Sequence, residues 1–108
     1  MHIFEKKDKT GRIIYLSSER FKHIQKHLES IEQLEELKET LINPDKIIEF
    51  EFDNNVRFYF RFNKAKKAYL FISVKYLNGT GFIITSFYTD KIKWKVKWIY
   101  ITMRREII

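Results

Sequence analysis

The chain contains no cysteine, a single proline and only three glycines in its 108 residues. The lack of cysteine excludes disulfides, thiol nucleophiles and thiolate zinc sites, and it suits a reducing compartment. The first residues hold no apolar run of signal-peptide length, and the longest apolar run, residues 68–72, is far too short to cross a bilayer. These absences predict a cytoplasmic protein that does not insert into a membrane.

Nucleotide-binding motifs are also lacking. The glycines do not form a phosphate-binding or dinucleotide-binding loop, and no serine lies in a nucleophile motif. The sequence therefore predicts no cofactor. Hydrophobic residues make up 44% of the chain and aromatic residues 17%, so we expect residues 1–108 to fold as one domain around a single core.

The charge of the chain is unevenly distributed. Residues 1–55 carry 9 basic and 12 acidic side chains, whereas residues 56–108 carry 12 basic and 2 acidic ones, a net charge of +10. A half-chain this basic favours a polyanionic partner, and nucleic acid is the commonest polyanion inside cells. A solubilising surface is the alternative explanation.

The N-terminal half has the pattern of a hairpin followed by two helices. Residues 3–6 and 12–16 flank a turn-like segment and suit a short hairpin. Ser17 or Ser18 is placed to cap a first helix of about three turns. A second helix is predicted over residues 30–42, and the proline that follows it ends it.

After this proline the hydrophobic period changes from 3.6 to 2, which predicts strands. Four strands are expected between residues 47 and 89, and residues 91–98 suggest a fifth strand with one lysine face. The Asn78-Gly79 pair predicts a two-residue hairpin turn, which would place Ile72 opposite Thr85. The sum is an α+β fold, with the hairpin and two helices packed on a four- to five-stranded antiparallel sheet.

Two of the three histidines lie four residues apart, at His23 and His27. On a helix they would share one face with Arg20, beside an apolar stripe that contains Phe21 and Ile24. Two imidazoles and a guanidinium on one helix edge can transfer protons and bind phosphate near neutral pH. The alternative is that the histidines are surface residues that border the core.

This stripe suits metal-independent cleavage of RNA, in which the 2′-hydroxyl attacks the neighbouring phosphate. The reaction needs a base, an acid and positive charge, and His23 and His27 can supply the first two in either order. Zinc is the weaker hypothesis, because the residue after His23 is Ile24 rather than the glutamate of a zinc-protease helix, and only His2 remains as a further histidine. We therefore expect no metal.

Several other side chains could bind the substrate. Arginine and lysine side chains are candidates for the phosphates, serine, threonine and tyrosine hydroxyls for hydrogen bonds, and exposed tyrosines for base stacking. The candidates are Arg20, Arg57, Tyr59, Arg61, Tyr69, Lys75, Thr85, Ser86, Tyr88, Thr89, Lys93, Lys95 and Lys97. An exposed sheet face or a charged edge strand is the alternative explanation for the cations. If the apolar faces pack on the helices, Thr85 lies near them, whereas Lys75 and Tyr88 lie on the opposite side.

Three motifs together resemble a known family. The His23-Ile24-x-x-His27 segment, the Asn43-Pro44-Asp45 end of the second helix and the late Thr85-x-Phe87-x-Thr89 strand are similar to the phage- and mobile-element-associated branch of the barnase–EndoU–colicin–RelE-like ribonuclease superfamily. Phe87 stands where many members have tyrosine. The resemblance implies a RelE/barnase-like fold, a small ribonuclease of toxin, defence or processing type, and catalytic roles for His23, His27 and Thr85.

Two other classes of function stay open. A non-catalytic RNA- or DNA-binding module on the same scaffold would keep the basic side chains but would have no use for the paired histidines. A protein-interaction module would present its basic face to an acidic antitoxin or inhibitor protein. Substitution of the two histidines discriminates a ribonuclease from a binding module, because only the ribonuclease would lose turnover.

Overall fold

A computed structural model of the chain describes residues 2–24, 32–50 and 52–90. Within these residues the elements are β1 (His2–Lys7), β2 (Ile13–Ser17), α1 (Ser18–Ile24), α2 (Glu32–Ile42), β3 (Lys46–Glu49), β4 (Val56–Asn63), β5 (Ala68–Leu77) and β6 (Thr80–Thr89). The strands form one sheet in the order β1-β2-β6-β5-β4-β3. The pairs are antiparallel except for β2 and β6, which run parallel.

The predicted α+β class is correct, but the sheet has six strands rather than four or five, and it is mixed rather than purely antiparallel. The N-terminal hairpin does not pack as a separate unit, because β2 pairs with β6 through Ile14–Gly81 and Tyr15–Phe82. The hairpin thereby adds two strands and makes the sheet mixed. The further strand that the sequence predicts over residues 91–98 lies outside the described residues.

Local sequence signals account for the ends of several elements. The Ser17 hydroxyl accepts a hydrogen bond from the Arg20 N–H at 3.2 Å, so Ser17, one of the two predicted capping residues, caps α1. The Asn78-Gly79 pair forms the predicted two-residue turn, with φ of 54° and 84° at its two residues. Positive φ at both positions is the geometry of a type I′ turn, which matches the twist of the flanking strands.

Both faces of the sheet are buried in apolar contacts. The face that packs on the helices, here called the helix face, contributes Tyr59, Leu70, Ile72, Val74, Tyr76 and Ile83 to a cluster with Ile24, Leu37 and Leu41. The opposite face, here called the phenylalanine face, carries Phe50, Val56, Phe58, Phe60, Phe71 and Ile84. The all-apolar face of β4 therefore points away from the helices.

A bulge in β6 changes the register that the turn alone predicts. Val74 pairs with Ile83, but the next residue of β5, Ser73, pairs with Thr85, so Ile84 is an extra residue. One inserted residue moves every later side chain to the other face of the sheet. Thr85 therefore lies opposite Ser73 on the phenylalanine face, and the predicted pairing with Ile72 is wrong.

The contact between β2 and β6 leaves no room for a side chain at Gly81. A Cβ atom there would lie 2.6 Å from Ile14 Cδ1 and 3.0 Å from Tyr76 Cδ1. We expect Gly81→Ala to lower the free energy of unfolding by about 1–3 kcal/mol, measured by urea denaturation, because overpacking strains a buried contact. Ile14→Val removes the clashing Cδ1 atom, so Gly81→Ala/Ile14→Val should recover part of this loss. If the losses of the two single variants simply add in the double variant, the clash with Ile14 is not the cause.

Candidate active site at the edge of β6

Helix α1 places its predicted functional residues along one flank. Phe21 packs against the core and Ile24 is fully buried, which fixes the rotation of the helix. Arg20 and His23, three residues apart, then follow one another along the neighbouring flank. Arg20 is exposed and His23 is half-buried. His27 lies outside the described residues.

Arg20 joins this flank to the bulge of β6. Its Nη1 donates a hydrogen bond to the carbonyl oxygen of Ile84 at 3.4 Å. The contact is possible because β2 pairs with β6 only at Gly81 and Phe82, so beyond them β2 does not cover this edge of β6. The Thr85 backbone follows directly on the carbonyl that Arg20 contacts. Helix α1 and the threonine strand therefore meet at the bulge.

A cleft of about 250 Å³ opens at this junction, here called the β6-edge cleft. It is lined by Tyr15, Ser17, Arg20, Phe82 and Ile83. Tyr15 and Phe82 are paired across the parallel strands and lie on the phenylalanine face. The cleft thus combines an exposed guanidinium, a hydroxyl and two aromatic rings, which are the groups that contact phosphates and bases in RNA-binding proteins.

The bulge in β6 places Thr85 and Tyr88 on the sheet faces opposite to those that the sequence predicts. Thr85 lies on the phenylalanine face and is 5% exposed, although the regular alternation predicts it on the helix side. Tyr88 lies on the helix side instead and donates a hydrogen bond to Glu36 Oε2 at 2.6 Å. Thr89 is buried on the phenylalanine face, and its Oγ1 has no hydrogen-bond partner among the described residues.

Tyr59 does not present its ring for base stacking. The side chain is fully buried in the core of the helix face. Its hydroxyl donates to Asp8 Oδ2 at 3.2 Å and also hydrogen-bonds to the Tyr76 hydroxyl. The expectation that Tyr59 is an exposed ring is therefore wrong, because the face of β4 that carries Arg57, Tyr59 and Arg61 is the one that packs on the helices.

The two arginines of β4 are engaged in structural contacts. Arg61 Nη1 donates to the Asn43 carbonyl at 2.9 Å, where a cation stabilises the C-terminal end of α2. Arg57 Nη2 lies 3.8 Å from Glu49, and its guanidinium lies over the Tyr76 ring at 5.5 Å. Neither arginine lines the β6-edge cleft.

The remaining predicted cations are not at the cleft either. Lys75 lies on the phenylalanine face and donates to Asp53 Oδ2 at 3.1 Å. Lys93, Lys95 and Lys97 lie outside the described residues. Of the residues that the sequence predicts to bind nucleic acid, the structure brings Arg20 into the cleft.

A buried carboxylate, Asp8, is the main feature that the sequence reading missed. Its Oδ1 accepts hydrogen bonds from the N–H of Thr10 at 2.8 Å, the Thr10 hydroxyl at 2.6 Å and the Arg12 N–H at 3.0 Å. Its Oδ2 accepts from Tyr76 at 2.6 Å and from Tyr59. The Asp8-Lys9-Thr10-Gly11 segment is typical of an Asx turn, which is the signal that could have indicated it.

The protonation of this cluster follows from burial and hydrogen bonding. Burial acts to raise the pKa of Asp8, but the hydrogen bonds from Thr10, Tyr76 and Arg12 outweigh it, and the pKa is lowered from 3.8. Burial raises the pKa of Tyr59 from 10.0 to about 12 and also raises that of Tyr76. Asp8 is therefore a charged acceptor and the tyrosines are neutral donors over the physiological range.

Among the described residues, no helix is long and apolar enough to cross a membrane. In the same part of the chain, no group of three or more His, Cys, Asp or Glu side chains is arranged to bind a metal ion.

Comparison with known proteins gives one match. A family model described as phage-Barnase-EndoU-ColicinE5/D-RelE like nuclease2 matches residues 3–105. The match covers both helices, all the strands and the β6-edge cleft. Neither the curated proteins nor the solved structures gave a match.

Proposed function

Because the chain belongs to this phage-Barnase-EndoU-ColicinE5/D-RelE like family of nucleases, we propose that it is a metal-independent endoribonuclease whose site is the β6-edge cleft. The observation that carries the proposal is the hydrogen bond from Arg20 to the Ile84 carbonyl. It brings the basic flank of α1 next to Thr85 and to a cleft with aromatic walls. The alternative is a binding module that holds RNA or DNA without cleaving it.

In the proposed reaction, Arg20 binds a nonbridging oxygen of the scissile phosphate. One of His23 and His27 takes the proton of the ribose 2′-hydroxyl, whose oxygen attacks the adjacent phosphorus. The other histidine donates a proton to the 5′-oxygen as the phosphorus–oxygen bond breaks. The products are a 2′,3′-cyclic phosphate and a 5′-hydroxyl, and no water or cofactor is consumed.

The positive charge of Arg20 is suited to this reaction, because the transition state carries more negative charge on the phosphate oxygens than the substrate does. A guanidinium that is already anchored at a backbone carbonyl needs little reorganisation to meet that charge. Thr85 is adjacent to the same carbonyl and is proposed to donate a hydrogen bond to a phosphate oxygen. An acidic inhibitor protein, as in toxin–antitoxin pairs, would compete for the same cation.

The test is incubation of the purified protein with mixed-sequence RNA in excess EDTA. We expect cleavage that leaves 2′,3′-cyclic phosphate ends. Single-stranded DNA of the same sequence is the matched control and should stay intact, because it has no 2′-hydroxyl. RNA that stays intact but shifts in a gel would contradict the proposal and favour the binding module.

A further inference from the structure

The β4–β5 hairpin carries an aromatic pair, exposed at Phe62 and half-buried at Tyr69, that is separate from the β6-edge cleft. Phe62 and Tyr69 are paired across the two strands on the phenylalanine face, with ring centroids 5.1 Å apart at an interplanar angle of 67°. Phe62 is 42% exposed, whereas Phe58, Phe60 and Phe71 on the same face are fully buried. Burial of the Phe62 ring is favourable, so a ligand that covered it would gain apolar contact.

The turn that joins β4 to β5, the two strands that carry this aromatic pair, contains three lysines. Lys64, Lys66 and Lys67 are all exposed. Among the described residues none of them forms an ion pair. Lys66 lies over the Tyr88 ring at 4.8 Å, on the helix face, which leaves Lys64 and Lys67 as the available cations of the turn. Aromatic rings next to unpaired cations are the combination with which proteins hold single-stranded nucleic acid, because the rings stack on bases and the cations contact phosphates.

We propose that Phe62, Tyr69, Lys64 and Lys67 form a second RNA-binding site, which holds the substrate strand at a distance from the cleaved bond. This inference rests on the proposed ribonuclease function and adds to it a preference for long single-stranded substrates. The occupant is single-stranded RNA rather than duplex, because stacking on a ring requires an unpaired base.

The position of the site sets the length of RNA that reaches it. Tyr69 pairs with Thr89, and Thr89 lies four residues beyond Thr85 on the same face of β6. At about 3.4 Å per residue the two threonines are roughly 14 Å apart. That distance corresponds to about four stacked nucleotides at ~3.4 Å each. A dinucleotide bound at the cleft cannot reach the aromatic pair, whereas an octamer can.

The test compares a dinucleotide with an octamer RNA, using Phe62→Leu/Tyr69→Leu. Leucine keeps an apolar side chain but removes the ring that stacks. We expect the double variant to bind the octamer RNA about 10- to 100-fold more weakly by fluorescence anisotropy in EDTA, with a 2′-O-methyl group at every position of the octamer to block the attacking hydroxyl and prevent cleavage. Cleavage of the dinucleotide should keep the wild-type rate. Phe52→Leu removes a ring that is 59% exposed elsewhere and should leave octamer affinity unchanged.

A second variant tests the lysines without touching the sheet. Lys64→Gln/Lys67→Gln should reduce the slope of log Kd against log salt concentration by about 1.4, because each phosphate contact contributes ~0.7 for a single strand. Its control replaces the exposed Lys7 and Lys9 by glutamine, which changes net charge equally and should leave the slope unchanged.

The outcomes separate this inference from the proposed function. Octamer affinity and salt slope that do not change in the two site variants would overturn the second site, even if RNA is cleaved. A wild-type protein that binds the octamer through these residues but cleaves neither the dinucleotide nor an unmodified octamer RNA would overturn the ribonuclease proposal and leave the binding site standing. Circular dichroism of each variant shows that a loss of affinity does not come from unfolding.

Discussion

Replacing His23 or His27 by alanine is expected to lower the rate of RNA cleavage by roughly 10²- to 10⁴-fold, because acid–base catalysis by one positioned side chain is typically worth that much. RNA affinity should stay within about twofold of wild type. The measurement is single-turnover cleavage of a labelled oligonucleotide, with affinity determined separately. If the two histidines act as one acid–base pair, the double variant should be little slower than either single variant.

The control for the histidine variants is Lys22→Ala, which removes an exposed side chain from the same helix and should leave the rate unchanged. Parallel loss of affinity and rate in the histidine variants would show that these side chains bind RNA rather than transfer protons. A rate equal to wild type in both variants would assign the histidines to the border of the core and require another acid and base.

Asp8→Ala is expected to lower the free energy of unfolding by about 3 kcal/mol. The substitution leaves the hydroxyls of Tyr59 and Tyr76 and two backbone N–H groups without their buried acceptor, and unpaired buried donors cost about 1–3 kcal/mol each before water or rearrangement compensates. The measurement is urea denaturation at neutral pH. The cluster joins the β1–β2 turn to β4 and β5, so the loss should appear in the global transition.

The matched control is Asp45→Ala. Asp45 also accepts a backbone N–H, that of Phe62 at 2.7 Å, but its side chain is exposed. Water can replace this acceptor, so we expect a loss of about 1 kcal/mol or less. If both substitutions lower the free energy of unfolding equally, the buried hydrogen bonds of Asp8 contribute no more than the exposed one of Asp45, which contradicts this prediction.

The same cluster predicts the pH dependence of stability. Because the folded-state pKa of Asp8 lies below its ordinary value of 3.8, its contribution is fully present above that value and is lost as pH falls through the folded pKa. Tyr59 has the opposite sign: its pKa is raised from 10.0 to about 12, so stability is lost as pH rises through that interval. Asp8→Asn should reduce the loss of unfolding free energy as pH falls below 3.8, measured by urea denaturation at a series of acidic pH values.

Local signals in the sequence predicted the parts of the fold that depend on a few adjacent residues. The Ser17 cap, the end of α2 at the Asn43-Pro44 pair and the Asn78-Gly79 turn were all identified, because each is set by the conformational preferences of one or two residues. The family was also identified from short motifs, and its match over residues 3–105 confirms it.

The candidate site was predicted only in part, because a site depends on which faces meet. The alternation of β4 indicates two faces but does not indicate which one packs on the helices. Tyr59 lies on the helix face, where its hydroxyl donates to a carboxylate from the distant β1–β2 turn. Neither the bulge at Ile84 nor the parallel pairing of β2 with β6 has a signal in adjacent residues. Both are decided by long-range packing.

The sequence by itself determined the class of fold, the helix flank that carries Arg20 and His23, and the basic C-terminal half. The tertiary structure decided the rest. One inserted residue in β6 places Thr85 on the phenylalanine face. The pairing of β2 with β6 ends at Phe82, so Arg20 can contact the exposed edge of β6 beyond it. The physical reason is that the alternation of side chains along a strand is a local property of the backbone. Which element packs on each face of the sheet depends on contacts between residues far apart in the chain.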